Sequence, residues 1–399
     1  MLHILRSISL VRNISRGTKF AISFVFAFIL RFFKIQIINV DATRIGHLAM
    51  EPELLRLHLS SIYGQKRRGW INFALSEKKE ACNEYLYSKL SKYFYLGPSF
   101  LLGRIQSLQE KFPYLFADLK PFKISHFDYS LLDSSPPPFT FSAGEDMKGQ
   151  LFLSSLGIHE KAPYVCLAVR DSSYLNLEYP NTDWSYHNYR DSHISDYLEM
   201  AEFLALQGYF VLRMGRNVSE KLVSSNPRII DYANLSSRSD FNDVYLFANC
   251  EFVISTSTGM DRLGLLFRKP IGLVNLPLPQ EAEFLGDTLK LVMYKDVIDL
   301  DSGLKLAITN KKPFECRQSP FVIGDFAKQG LSYSNNTPLE LKMFASEFIS
   351  IMKSKFQYPE NLVSIEESFL GEGYSHFDIK KRSFHISPAW LSNRANLSS

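Results

Sequence analysis

The chain has 399 residues, 46% of them hydrophobic and 22% charged, a composition that supports well-formed cores and excludes a disordered or low-complexity protein. Its formal net charge of +4 belongs to one end, because Arg6, Arg12, Arg16, Lys19, Arg31 and Lys34 all precede residue 41 with no acidic residue among them. Taking those six from the 45 Lys and Arg leaves 39 against 41 Asp and Glu. The body is therefore near neutral, which argues against a nucleic-acid partner.

The N-terminal stretch comes first. Phe20 to Leu30 is an apolar run of 11 residues, followed closely by Arg31 and Lys34. A spanning helix needs roughly 20 apolar residues, and no small-residue cleavage site follows the run. Residues 1–34 read as a basic amphipathic segment that can lie on an anionic membrane surface, the alternative being a buried first helix.

Residues 35–135 read as a first α/β domain. Ile35 to Val40 is strand-like, and Leu48, Leu54, Leu55 and Leu59 support a helix after it. The turn between them holds Arg44, Gly46 and His47. A strand over Ile71–Leu75 and a helix over Glu80–Phe94 follow. Pro136 to Pro138, in LLDSSPPPFTFSAGE, mark an extended connection and set the boundary of a second domain over residues 136–385.

In the second domain a helix through Leu151 and Leu156 ends near Gly157, and a strand over Tyr164–Val169 ends in Arg170 and Asp171. A polar, aromatic loop runs to Asp191. Ile194, Tyr197, Leu198, Ala201 and Leu204 then form one helix face, with Asp191 or Ser192 as cap and Gly208 at the end. Strands over Tyr209–Met214, carrying Arg213, and Arg228–Tyr232, carrying Asp231, lead to a helix from Ser239 or Asp240 into Cys250.

The stretch FVISTSTGMDRLGLLFRKPIGLVNLP is a βαβ crossover. Phe252–Ser255 is its first strand, and Ser255, Thr256, Ser257, Thr258 and Gly259 form a hydroxyl-rich turn. Leu263, Leu266 and Phe267 lie on one helix face, Pro270 stops the helix, and Ile271–Val274 starts the next strand. Strands over Leu289–Tyr294 and Leu304–Ile308 follow. Thr337, Pro338 and Glu340 make a capping box with proline, and Ser387 and Pro388 open a last helix within residues 386–399. Cys82, Cys166, Cys250 and Cys316 lie far apart, with no disulfide or metal framework, a pattern that suits a reducing compartment.

In a doubly wound parallel sheet, ligands bind at the carboxyl ends of the strands. Here those ends carry Arg170 and Asp171, Arg213, Asp231, the Ser255–Gly259 turn and Asn275. Two arginines beside a helix start match a diphosphate. Each residue also has a plainer reading: the hydroxyls as helix caps, Arg170 paired with a carboxylate at the sheet edge, and Arg213 paired with Asp231.

YVCLAVRDSSY, YRDSHISDYLEMAEFLALQGYFVLRMG and IIDYANLSSRSDFNDVYLFANCEFVISTSTGM resemble a bacterial glycosyltransferase family found with surface-polysaccharide genes. RIGHLAMEPEL and HISPAWLSNR look like the same family, so the resemblance runs from residue 35 to the C-terminal stretch. That family is similar to two-domain GT-B glycosyltransferases of the fucosyltransferase and heptosyltransferase type. The resemblance implies an α/β fold of two Rossmann-like domains, with a nucleoside-diphosphate sugar held by the C-terminal domain. The N-terminal domain would take a surface-polysaccharide or lipid-linked glycan acceptor, and no cofactor is implied.

Arg170 would take the place of the basic residue aimed at the donor diphosphate, its role electrostatic, because negative charge grows on the leaving group as the glycosidic bond breaks. The Asp299–Asp301 pair, in DLDSG, reads as a surface turn rather than a metal site, so the expected enzyme is metal-independent. His47 is the candidate base for the acceptor hydroxyl, with Asp41, Glu51 and Glu53 as alternatives. Arg44 suits an acidic acceptor or lipid-linked phosphate, or a pairing with Glu51 or Glu53. The basic N-terminus would hold such an enzyme at the cytoplasmic face of the inner membrane. The competing readings are a nucleotide-sugar epimerase of the same architecture and a non-catalytic subunit of a glycan-assembly complex.

Overall fold

Two compact units make up the computed structural model, Met1–Phe139 and Thr140–Ser399. The structure describes residues 16–32, 37–63, 69–73, 81–95, 99–112, 115, 129–159, 161–178, 180–277, 286–307, 327–373 and 384–395. Cys316 and the ends of several expected elements, such as Ile35, Leu75 and Ile308, lie outside those residues.

The first unit contains helix α1 (Arg16–Phe32), strand β1 (Ile37–Val40), α2 (Ile45–Tyr63), β2 (Gly69–Phe73), α3 (Glu84–Leu90), β3 (Phe94–Tyr95), α4 (Ser99–Lys111) and α5 (Ser130–Asp133). Its three strands pair in parallel in the order β1-β2-β3. The helix expected over Glu80–Phe94 is shorter than its apolar pattern. Asn83 starts it by accepting from the Leu86 N–H at 2.8 Å, and a 3₁₀ turn over Ser91–Tyr93 ends it. Helix α1 packs on α4 and buries Ser23, Ala27 and Leu30. These residues recur at steps of four and three, one stripe of the helix. The proline run is tied to this unit, since Pro136 and Pro138 offer their carbonyls to Arg56 Nη2 and to the Tyr93 hydroxyl.

The second unit contains α6 (Ala143–Ser155), β4 (Tyr164–Ala168), α7 (Ser173–Glu178), α8 (Leu198–Leu206), β5 (Phe210–Met214), β6 (Ile229–Ile230), α9 (Asp240–Asn249), β7 (Phe252–Ser255) and α10 (Asp261–Leu266). Then come β8 (Ile271–Leu276), β9 (Leu289–Tyr294), β10 (Asp296–Asp299), β11 (Leu331–Ser334), α11 (Pro338–Met352), α12 (Glu360–Gly373), β12 (His385–Ile386) and α13 (Pro388–Ala395). Seven strands form one parallel sheet in the order β12-β9-β8-β7-β4-β5-β6.

Residue pairing shows which helices cover which face. Val253 pairs with Ile271 and Ile254 with Gly272, so Val253 and Gly272 point to opposite faces. A Cβ on Gly264 of α10 would meet Val253 at 2.8 Å, and one on Gly272 would meet the Phe344 and Phe348 rings of α11 at 2.9 Å. Helix α10 therefore covers one face and α11 the other, each close enough to exclude a methyl group at the contact. Cys166, on the α10 side, lies against the Leu246 carbonyl of α9, and burial pushes its thiol well up.

Two expectations are corrected. Among the described residues 304–307 of the strand expected over Leu304–Ile308, one bridge forms, Lys305 with Ile298. Asp299 Oδ1 accepts from the Asp301 and Ser302 N–H groups and the Ser302 hydroxyl, closing a tight turn that folds the segment back on β10, whose other edge already pairs with β11. The strand expected over Arg228–Tyr232 is limited to Ile229–Ile230, because Tyr232–Asn234 turns as a 3₁₀ helix.

The C-terminal HISPAWLSNR segment forms a clamp. Arg394 makes two bonds to Asp296, at 2.7 and 2.6 Å, and a third contact to Glu340, which also completes the Thr337 capping box at the start of α11. Trp390 packs with Tyr294 and Phe369. Glu347 of α11 caps α13 from outside, accepting from the Ser387 hydroxyl at 2.5 Å and the Ala389 N–H at 2.8 Å. Burial raises the Glu347 carboxyl to about 6, against an ordinary 4.5, with those two bonds opposing the shift. Its contribution to stability is fully present below pH 4.5 and is lost as pH rises through 6. Glu347→Gln removes that titration, so thermal unfolding should show the wild type losing about 2 kcal/mol relative to the variant between pH 4 and pH 7.

Candidate functional site

From β4 the chain winds one way through β5 and β6, then returns to lay β7 on the other side of β4 and continues through β8 and β9. The order reverses between β4 and β7, and at such a switch point the two following loops part and leave a crevice at the carboxyl edge. The Arg170 N–H reaches from one wall to the other, donating to Thr256 Oγ1 at 2.9 Å.

The Ser255–Gly259 turn is largely satisfied from within. The Ser255 hydroxyl donates to Asp261 Oδ2 at 3.0 Å and accepts from the Thr258 N–H, and Thr258 Oγ1 accepts from the Met260 N–H. Ser255, Thr256 and Ser257 are buried, and Ser257 holds a left-handed backbone at φ 56°. Thr258 is half-buried and Gly259 exposed, so these two form the open part of the turn. Burial raises the Asp261 carboxyl at the start of α10.

The charges at the edge divide into two groups. Arg213, 1% exposed, lies between Asp231 at 3.2 Å and Asp171 at 3.8 Å. Both carboxylates also accept main-chain N–H groups, Asp171 from Ser173 and Ser219 and Asp231 from Leu222. These three expected site residues come together with one another and fasten the loop after β5. Asn275 is likewise committed, exchanging main-chain to side-chain bonds with Asn336 and donating to the Tyr197 hydroxyl.

The second group surrounds Asp191. Arg170 Nε lies 3.3 Å from Asp191 Oδ1, and Lys295 Nζ donates to the Asp191 carbonyl at 3.0 Å and to Asn335 Oδ1 at 2.7 Å. Arg190 reaches the turn itself, its Nη2 donating to the Ser257 carbonyl at 2.5 Å. Burial raises the Asp191 carboxyl and the charge of Asp171 adds to the shift, while the charges of Arg170, Lys295 and Arg190 oppose it. One half-buried carboxylate thus sits among three cations beside the crevice. Arg190 and Lys295 escaped the sequence reading: Arg190 lies in a 3₁₀ turn inside the long polar loop, Lys295 just past β9, and neither position has a local signature.

In the first unit, His47 sits in the first turn of α2, at the carboxyl end of β1. Its Nδ1 is bonded to Glu51 Oε1 one helical turn on. Glu51 is buried, which raises its carboxyl, with the His47 bond opposing, whereas the His47 side chain is 40% exposed. In the tautomer with the proton on Nδ1, the ring donates to Glu51 and presents Nε2 as an acceptor. The other candidate bases are occupied: Asp41 accepts from the Thr43 N–H and hydroxyl, and buried Glu53 is held by two bonds from Arg56. Arg44 and Gly46 are half-buried at the start of the helix, Arg44 near enough to lower the Glu51 carboxyl. The spacing of four between His47 and Glu51 was visible in the sequence as a pair on one helix face.

Among the described residues, no group of three or more His, Cys, Asp or Glu side chains could hold a metal ion. No protein-family profile and no curated protein matches the chain. Among solved structures it is similar to the E. coli ADP-heptose LPS heptosyltransferase II, at 13% identity and a TM-score of 0.35, covering 65% of this chain and 90% of that one. It is also similar to TibC, the bacterial iron-containing dodecameric glycosyltransferase from enterotoxigenic E. coli H10407, at 14% identity and a TM-score of 0.32, covering 62% of this chain and 61% of that one. The E. coli heptosyltransferase WaaC with ADP overlaps at 14% identity and a TM-score of 0.23, covering 72% of this chain and 74% of that one. These likenesses are loose, and the functional reading rests on this chain's own geometry.

The two groups of cations should respond differently to substitution. Arg213→Ala leaves Asp171 and Asp231 facing each other without their cation and should cost about 3–5 kcal/mol in denaturant unfolding. Arg190→Ala, at a half-buried position, should cost about 1 kcal/mol.

Proposed function

We propose that the chain is a metal-independent glycosyltransferase that moves a sugar from a nucleoside-diphosphate donor to a surface-polysaccharide or lipid-linked glycan hydroxyl. The observation that carries this reading is the cluster of cations at the switch point, where Arg170, Lys295 and Arg190 act around the Asp191 carboxylate, with Asp171 as a second acidic group nearby. A diphosphate supplies several anionic oxygens to guanidinium groups that pair with them bidentately. Its arrival would let Arg170 exchange Asp191 for phosphate. The family resemblance of the surrounding stretches supports the same assignment.

In this reading the second unit binds the donor and the first supplies the base. His47 Nε2 takes the proton of the acceptor hydroxyl as that oxygen bonds to the anomeric carbon. The bond from that carbon to the diphosphate oxygen breaks, and its electron pair leaves with the nucleoside diphosphate. Arg170 and Arg190 stabilise the charge growing there, where fixed positive groups do most to lower the barrier. Glu51 orients the imidazole and steadies its positive charge once the proton arrives. Lipid-linked acceptors would place the reaction at the cytoplasmic face of the inner membrane.

A nucleotide panel gives the first test. Thermal unfolding with UDP, GDP, ADP and CMP should show one nucleotide raising the midpoint by several degrees, since ligand at 100 times Kd stabilises by about 2.7 kcal/mol. Arg170→Ala should abolish that shift while the protein stays folded by circular dichroism. Silence with every nucleotide would sink the donor assignment and favour the non-catalytic subunit. Once a donor is known, His47→Ala should cut kcat by about 10²–10⁴ with donor binding unchanged, and Glu51→Gln by about tenfold. Unaltered turnover in His47→Ala would remove it as the base.

A further inference from the structure

Helix α1 has two unlike faces. Ser23, Ala27 and Leu30 are buried on the side that packs against α4. On the other side Phe20, Phe24, Val25, Phe28, Ile29 and Phe32 are exposed, with Phe20 at 57%, Val25 at 55% and Phe32 at 71%. At about 100° per residue these six span half the helix circumference, centred roughly 145° from the buried stripe. Phe28 and Phe32 meet edge to face, so part of this surface is a preformed aromatic ridge. A soluble protein rarely leaves a contiguous apolar strip of this kind in water unless something covers it.

Charge identifies the cover. The chain before Asp41 has six Lys and Arg residues and no acidic residue, so the partner of this end is an anion. A second copy of the chain would bring the same uncompensated charge against itself. The described helix of 17 residues rises about 26 Å, against a bilayer core of about 30 Å. Among the described residues no helix is long and apolar enough to cross a membrane. An aromatic face on a basic helix of this length has the chemistry of a helix lying in the headgroup region of an anionic bilayer.

We infer that the Phe20–Phe32 face of α1 is a docking surface for an anionic lipid bilayer, on which the helix lies parallel to the surface. The lysines and arginines draw the chain to the bilayer, and the phenylalanines enter the boundary between headgroups and acyl chains. The buried stripe on α4 keeps the helix attached to the first unit, so the bilayer holds the folded protein rather than a loose tail. This attachment does not depend on the glycosyltransferase reading. It would, however, bring that unit to the surface where lipid-linked acceptors are found.

Co-sedimentation of the full chain with vesicles tests the inference without donor or acceptor. Vesicles of phosphatidylcholine with 30% phosphatidylglycerol should pellet the protein, and phosphatidylcholine alone should do so about tenfold less well. Raising salt from 50 to 500 mM should release it. The variant Phe20→Ser/Phe28→Ser/Phe32→Ser changes exposed positions only. It should bind the anionic vesicles at least about tenfold more weakly, with unchanged circular dichroism. Equal recovery on both lipid compositions, or no recovery on either, would overturn the inference on the wild type alone. So would a triple variant that binds vesicles as before, or one whose only change in sedimentation velocity is the loss of a wild-type dimer.

Discussion

A parallel sheet that is apolar on both sides must be covered twice, and this requirement arranges the whole second unit. Strands β4, β7 and β8 are buried along their full length, as is nearly all of β9. Each strand must therefore be followed by chain that returns over one face or the other. The return runs outward from β4 in one direction and from β7 in the other, and Gly264 and Gly272 let α10 and α11 press close on the two faces. The crevice between β4 and β7 follows from this double covering. What makes it a candidate site is the set of side chains placed at its rim.

Packing also decides which of those side chains remain available. Arg213 and Arg394 are closed on by carboxylates at both ends, and burying such ions is tolerable only because the partners and main-chain donors replace the water they lose. They fasten the loop after β5 and the last helix. Arg170, Lys295 and Arg190 gather instead around Asp191, on which the charge of Asp171 also acts. Arg190 also holds the carbonyl of Ser257, a residue in the left-handed region, and so helps to fix the turn.

Much of the second unit was legible because local and global signals agree there. Phe252–Ser255 is a continuous apolar run, and Thr337, Pro338 and Glu340 form the capping box their spacing predicts. Reading strand ends picked out residues that the fold gathers at one edge of the sheet, without separating the partners each of them meets there. Arg170 and Arg213 look alike in sequence, and only the partners that tertiary folding brings to each distinguish them. The turn hydroxyls were ambiguous for a related reason: a serine that caps and a serine that binds an anion use the same oxygen, and here Asp261 takes the Ser255 hydroxyl. Residues 1–34 posed a choice between surface segment and buried helix that the fold does not make, since α1 buries one stripe and exposes the other.

The first unit shows how a weak sequence signal gains meaning from burial. A histidine after a glycine, in the turn that follows a strand, is most often a local hydrogen-bonding group. Three carboxylates near it in sequence could each have taken the role of base, but two are committed: Asp41 to the Thr43 turn and Glu53 to Arg56. The third, Glu51, is buried with its Oε2 lacking a partner among the described residues, so it cannot reach a substrate, yet it can fix the ring in front of it. A carboxylate in that position selects the tautomer with the proton on Nδ1 and stabilises the imidazolium that forms when Nε2 accepts a second one. The imidazole and the buried carboxylate therefore form one hydrogen-bonded pair, with the ring as its accessible member.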